Sequence, residues 1–202
     1  MFEIKNISIQ VKERYLVKNL SFTVNQKDKL AIIGEEGNGK STLLKALAGK
    51  LDYGEVTGGV SVKNHKIGYL EQSVSKEAEE QTPLEYLFQT EEDYYHKIGK
   101  FYKEKERFHI TEEMLDRKIK TLSGGEKVKL AILKLLLEEN DILLLDEPTN
   151  DLDIETLEWL ETFINESENP ILYVSHDETL LSRTSTMILH LEQIKHKTEC
   201  RH

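Results

Sequence analysis

The residues best equipped for chemistry lie in the run Gly34-Glu35-Glu36-Gly37-Asn38-Gly39-Lys40-Ser41-Thr42, which satisfies the pattern G-x-x-x-x-G-K-[ST]. Glycines at those places let a backbone wrap closely around phosphate groups. The N–H groups at the start of a following helix then donate to the phosphate oxygens, and a lysine adds a point charge. Ser41 is the hydroxyl such a loop offers to magnesium, while Glu35 and Glu36, unexpected beside a polyanion, should face solvent from the loop's outer side. The second candidate is the acidic pair Asp146-Glu147, which ends the apolar run Asp141-Ile-Leu-Leu-Leu145. Magnesium prefers hard oxygen ligands, and a neighbouring carboxylate can orient or deprotonate an attacking water, so Asp146 is assigned to the metal and Glu147 to the water. An apolar strand ending in two acids is by itself often only a solvated strand end. A phosphate loop in the same chain shifts that balance.

These groups need a scaffold that brings distant segments to one edge. Phe2 to Val11 and Tyr15 to Val24 alternate apolar and polar side chains around a polar turn, as strands of an antiparallel layer do. After the turn Asn25 to Asp28, Lys29 to Ile33 reads as a buried strand leading into the phosphate loop, and a helix runs from Lys40 to about Ala48. Gly54, Gly58 and Gly59 punctuate the next stretch, before short strands at Val60 to Val62 and Lys66 to Leu70. From about Leu84 to Lys120 the chain is rich in Glu, Lys, Tyr and Leu without proline, which predicts several helices inserted into an α/β core. The core resumes with a helix from about Gly124 to Glu139, the strand Asp141 to Leu145, a helix around Ile154 to Ile164 and a strand Pro170 to Val174 followed by Ser175, His176 and Asp177. The fold class is therefore α/β, with a mostly parallel core sheet, an N-terminal antiparallel β layer and an inserted helical subdomain. In an open sheet of this kind ligands gather at the carboxyl ends of the strands.

With 27 basic against 37 acidic side chains and a net charge of -10, the chain of 202 residues repels polyanions overall, so any contact with nucleic acid or anionic membrane must be local. No apolar stretch reaches the roughly 18 residues of a membrane span and no apolar leader follows Met1, so a soluble cytoplasmic protein without direct membrane insertion is expected. Cys200 reads as an incidental surface thiol in a reducing compartment.

The chain also resembles a known family. Leu122-Ser123-Gly124-Gly125-Glu126 is similar to the signature motif that sets ABC-type ATPases apart from other P-loop enzymes, and Asp146-Glu147-Pro148-Thr149 extends their acidic strand motif. Gln72 after a strand, the loop Asn150-Asp151-Leu152-Asp153 and His176 complete the family's motifs in order over nearly the whole chain. The resemblance implies a P-loop NTPase of ABC type, a single domain over 1–202 with an α/β core at about 1–75 and 140–195 and a helical subdomain at about 76–139 that carries the signature helix. It implies ATP as substrate, hydrolysed to ADP and phosphate, with Mg2+ as cofactor. Gly34 through Thr42 would bind the nucleotide, Ser41, Gln72 and Asp146 the metal, and Glu147, His176 and Gln72 would be catalytic. Ser123, Gly124, Gly125 and Glu126 would close on ATP held by a partner domain, and Asp153 would lie in the loop joining the two sites. Members stack an aromatic on adenine; the usual place falls near Val11 here, and Tyr15 is the nearest substitute.

Asp146-Glu-Pro-Thr-Asn-Asp-Leu-Asp153 and the small β-rich part resemble the ABC-F proteins, in particular the first domain of their resistance-type members. That resemblance implies a second ABC ATPase domain as partner, in the same parent chain or as a homodimer, and the ribosome as the parent protein's partner. The chain departs from the pattern in having one phosphate loop and no long basic helical hairpin. Two other roles stay open: the nucleotide-binding motor subunit of a membrane transporter, and an ATP-dependent clamp with little hydrolysis, against which Glu147 and His176 argue.

Overall fold

The computed structural model describes residues 1–61, 65–71 and 74–192. In chain order its first half comprises β1 (Phe2–Val11), β2 (Arg14–Val24), β3 (Lys29–Ile33), α1 (Lys40–Leu47), β4 (Glu55–Ser61) and β5 (Ile67–Leu70). Helices α2 (Lys76–Glu79), α3 (Pro83–Leu87), α4 (Glu91–Glu104) and α5 (Glu112–Leu115) follow, with a single 3-10 turn at Ile119–Thr121. The remainder is α6 (Gly124–Leu137), β6 (Ile142–Asp146), α7 (Ile154–Glu166), β7 (Ile171–Val174), α8 (Glu178–Thr184) and β8 (Met187–His190).

Two sheets organise these elements. The first is antiparallel, in the order β2-β1-β4, and the second holds five parallel strands in the order β5-β6-β7-β3-β8. Every residue of β6 and β7 is buried, as strands covered on both faces require. Their side chains alternate between two cores. Ile142, Leu144, Leu172 and Val174 join Leu43, Leu44 and the inner face of the antiparallel layer (Phe2, Ile4, Ile7, Ile9), while Leu143, Leu145, Ile171 and Tyr173 pack with Leu130, Leu133, Leu160 and Phe163 from α6 and α7. Each such side chain contributes roughly 1.5–3 kcal/mol by leaving water. The parallel sheet is thus clamped between α1 with the β layer on one side and the helices on the other. Lys29, at the start of β3, donates to the Ser167 and Asn169 carbonyls just past α7 at 2.7 and 2.8 Å, tying sheet to helix.

The helices begin where their sequences supply caps. Thr82 and Glu85 form a reciprocal capping box with Pro83 in the first turn, Ser123 and Glu126 form another, and Thr90 precedes the acidic turn Glu91, Glu92, Asp93. Two features differ from the sequence reading. Gly58 and Gly59 lie inside β4, not in a loop: Gly58 has φ +99°, and a Cβ there would collide with the Asn6 carbonyl where the β1–β4 register slips. The edge strand β8 was not anticipated, because it is short and its Met187 and Ile188 are exposed, so it lacks the apolar run of its neighbours.

Candidate active site

Strand β3 delivers the chain into the phosphate loop, and the carboxyl ends of β6 and β7 bring Asp146, Glu147 and His176 to the same edge of the sheet. Among the described residues every α-helix except α1 starts with a Ser, Thr or Asp side chain that accepts from its first turn. Helix α1 starts at Gly39, which has φ +87° and no side chain to cap with, and its first turn holds no acid. Its N-terminal donors and positive dipole end are thereby left for an anion. Space is tight as well, since a Cβ at Gly39 would lie 3.0 Å from the Leu16 side chain. Glu35 and Glu36 are exposed, as the sequence suggested. Lys40 is buried and turns its ammonium inward onto the Gly34 and Glu35 carbonyls at 2.8 and 3.1 Å. Thr42, also buried, shares a hydrogen bond of 3.2 Å with the Tyr53 hydroxyl.

Ser41 and Asp146, 105 residues apart in sequence, meet: the serine hydroxyl donates to Asp146 Oδ1 at 2.8 Å. Tyr69, from the neighbouring strand β5, donates to Asp146 Oδ2 at 2.9 Å. Burial first, and then the charge of Asp146, push the Tyr69 hydroxyl far above its usual range, so it remains a donor. Two adjacent hard oxygens, a hydroxyl and a carboxyl, fit magnesium, which keeps water and phosphate oxygens as its remaining ligands. No cluster of three or more His, Cys, Asp or Glu suited to a metal occurs among the described residues, so any ion here would lean on substrate oxygens.

Glu147 adopts a left-handed backbone, φ +50°, unusual for a glutamate and of a kind that collects at functional sites. Its N–H is held by the Val174 carbonyl at 3.1 Å. Its Oε1 lies 3.0 Å from His176 Nε2, and its Oε2 is buried without a partner. Burial raises its pKa, opposed by His176 and Lys40. His176 is mostly exposed, and Asp177, not His176, caps α8. Buried Ser175 shares a hydrogen bond of 3.0 Å with Thr149, fastening the segment after Glu147 to the end of β7.

The signature residues gather elsewhere. Ser123 and Glu126 satisfy each other's backbone donors at 2.7 and 3.2 Å. Gly124 packs on the Asp151 carbonyl, 3.0 Å from where a Cβ would stand, and a Cβ at Gly125 would collide with Thr156. No hydrogen bond joins Ser123 to Glu126 with the phosphate loop among the described residues. Asp153 caps α7, accepting from the Thr156 N–H at 2.7 Å, and the Thr156 backbone and hydroxyl hold its carboxyl below the usual range. Tyr15 is exposed with Lys18 Nζ 5.3 Å from its ring centre, whereas the β2 side chain against the phosphate loop is Leu16. Gln72 and Cys200 lie outside the described residues. Tyr69 is the member that sequence reasoning missed; its only signal was a tyrosine in a buried strand, whose hydroxyl must find a partner.

Comparison with known proteins identifies the family and the fold. The profile of the family described as "ABC transporter" matches residues 17–150. Ribosome protection protein VmlR of Bacillus subtilis is 38% identical over 184 residues, covering 91% of this chain and 32% of the relative. ABC transporter F family member 5 of Arabidopsis thaliana is 34% identical over 197 residues, covering 94% of this chain and 27% of the relative. The chain thus spans between about a quarter and a third of the length of these curated relatives. Among solved structures, a dimeric ATP-binding cassette in a post-hydrolysis state with ADP and Pi superposes with a TM-score of 0.71 at 22% identity, covering 97% of this chain and all of that one, which shows the shared fold. Among the described residues no helix is long and apolar enough to cross a membrane.

Proposed function

The chain belongs to the ABC transporter family of ATPase domains, with ABC-F proteins among its relatives, and from that premise we propose that it hydrolyses ATP as one half of a cytoplasmic ABC-F motor that works on the ribosome. The observation that carries the enzymatic part is the meeting of Ser41 with Asp146 directly beside the Glu147–His176 pair. In this reading Gly34 to Thr42 cradle the phosphates, with Lys40 swinging its charge from the loop carbonyls to the phosphate oxygens. Tyr15 lies on the adenine side. Ser41 and Asp146, with Gln72, would hold magnesium, which would supply charge neutralisation at the phosphates. Tyr69 fixes the second oxygen of Asp146, so that the first points at Ser41. Glu147 accepts the proton of the attacking water; its raised pKa brings it closer to the operating pH, where a general base is most effective. His176 orients Glu147 and reaches the γ-phosphate.

Ser123 to Glu126 serve the ATP of a second domain, whether in the same parent chain or in a homodimer, and Asp153 lies where the two halves join. The α/β core at about 1–75 and 140–195 and the helical subdomain at about 76–139 would then move as the pair closes and opens. The ribosomal role draws support from the similarity to the ribosome protection protein VmlR. A sucrose-cushion sedimentation of the natural gene product, as its Glu147→Gln variant with ATP, tests it. Ribosome-bound protein is expected. Recovery with membrane vesicles instead of ribosomes would replace this reading with a transporter subunit.

A further inference from the structure

Within the phosphate loop one side chain is not accounted for by the reaction. Asn38 is only 5% exposed, and its Nδ2 donates to the Leu191 carbonyl at 2.8 Å, a residue just past β8. Leu191, itself buried, donates its own N–H to the carbonyl of Ile33, the last residue of β3, at 2.9 Å. Gly34 presses so closely on the same Leu191 carbonyl that a Cβ there would collide with it. The backbone after β8 is therefore pinned at the entrance of the loop and again inside it. Asn38 Oδ1 is buried without a partner, so the amide forgoes a hydrogen bond to keep this position. Apolar packing alone would not call for a polar group that costs so much to bury.

We propose that Asn38 is a positioning residue for nucleotide binding: its amide fixes the curve of the phosphate loop against Leu191, and through that bond the loop and the end of edge strand β8 respond together when ATP binds. The proposal rests on the reading of Gly34 to Thr42 as the phosphate site. Its physical basis is preorganisation. The loop contains Gly34, Gly37 and Gly39, whose freedom must be lost before the backbone N–H groups converge on a phosphate. A tether that holds the shape beforehand removes that cost from binding. Asn38 makes no hydrogen bond to Glu147 or His176 among the described residues, so the chemical step itself does not depend on it.

The test uses the whole chain with Mg-ATP. In Asn38→Ala and Asn38→Ser, neither of which reaches Leu191, KM is expected to rise about 2- to 10-fold, the effect of one hydrogen bond, with kcat within about twofold. In the wild type, ATP is expected to slow backbone amide exchange across residues 187–192, and this response disappears in the variants. Thermal unfolding is followed in parallel. An unchanged KM in a folded variant overturns the proposal, and so does a lowered unfolding midpoint without a KM change, which would mark a purely structural role. Should both variants fail to fold, the wild-type exchange experiment decides: no response of 187–192 to ATP sinks the coupling. Lys40→Ala separates the two levels of the argument. If it binds ATP as the wild type does, the phosphate-site reading itself is wrong; if it loses ATP while the Asn38 variants keep it, only the role of Asn38 falls.

Discussion

Glu147 combines a strained backbone, a half-paired carboxylate and an environment that disfavours its charge. If it is the general base, Glu147→Gln keeps the shape but removes the proton acceptor, and phosphate release should drop by about 10²- to 10⁴-fold while ATP binding persists. Equal turnover in both proteins would remove Glu147 from the mechanism. The pH dependence is signed as well. The base works ionised, so turnover rises with pH as Glu147 loses its proton, along a limb displaced above the ordinary carboxylate range because burial raises that pKa. His176 and Lys40 are the cations that pull it back down. In His176→Ala the residual activity should therefore need a still higher pH, and a limb that stays put or moves to lower pH would contradict the pairing. Ser41, Asp146 and Glu147 were legible in the sequence because their spacing is set by local backbone form, a loop before a helix and a strand end. Tyr69 was not, because it is defined by a partner more than 70 residues away; Asn38 was read as part of the phosphate loop, but its bond to Leu191 was not, for the same reason.

At the scale of elements, the buried parallel strands and the helices were readable because apolar runs and helix-forming composition act locally. Strand β4 was misjudged because Gly58 serves a bulge against β1, and that need arises only on pairing. The helices offer a direct contrast between two glycines. Gly99 sits within α4 with nothing within 4 Å of a potential Cβ, so Gly99→Ala relieves only the entropic penalty of glycine in a helix and should stabilise the fold by about 0.5–1 kcal/mol. Gly125, in the first turn of α6, has Thr156 of α7 in the space a methyl would need. Gly125→Ala must push α6 from α7, at a cost of about 1–3 kcal/mol. For a chain of this size the unfolding midpoints should shift by roughly 2–4 °C per kcal/mol, upward for the first and downward for the second. A Gly125→Ala protein as stable as the wild type would show that the signature glycine is free of this packing and is kept for ligand alone.

The whole molecule presents a phosphate loop and a signature segment that no hydrogen bond connects among its described residues, each with its own packing partners. If the signature serves a partner's ATP, each complete site draws on two chains, and the two halves can be inactivated separately. Lys40→Ala spoils the phosphate loop but leaves the signature intact; Ser123→Arg does the reverse, placing a bulky cation where α6 should meet a phosphate. Each variant alone should be nearly silent. Mixed one to one, random pairing makes half of the dimers mixed, and each mixed dimer holds one intact composite site out of two, so about a quarter of the wild-type sites should return. The recovered activity should rise with protein concentration, since the pair must first form, and since groups supplied across an interface can raise phosphoryl transfer by about 10³- to 10⁵-fold. Measuring phosphate release from the mixture against the two variants alone decides the matter. A mixture no more active than the sum of its parts would mean that the chain completes its site by itself, and that the separation of loop and signature has another purpose.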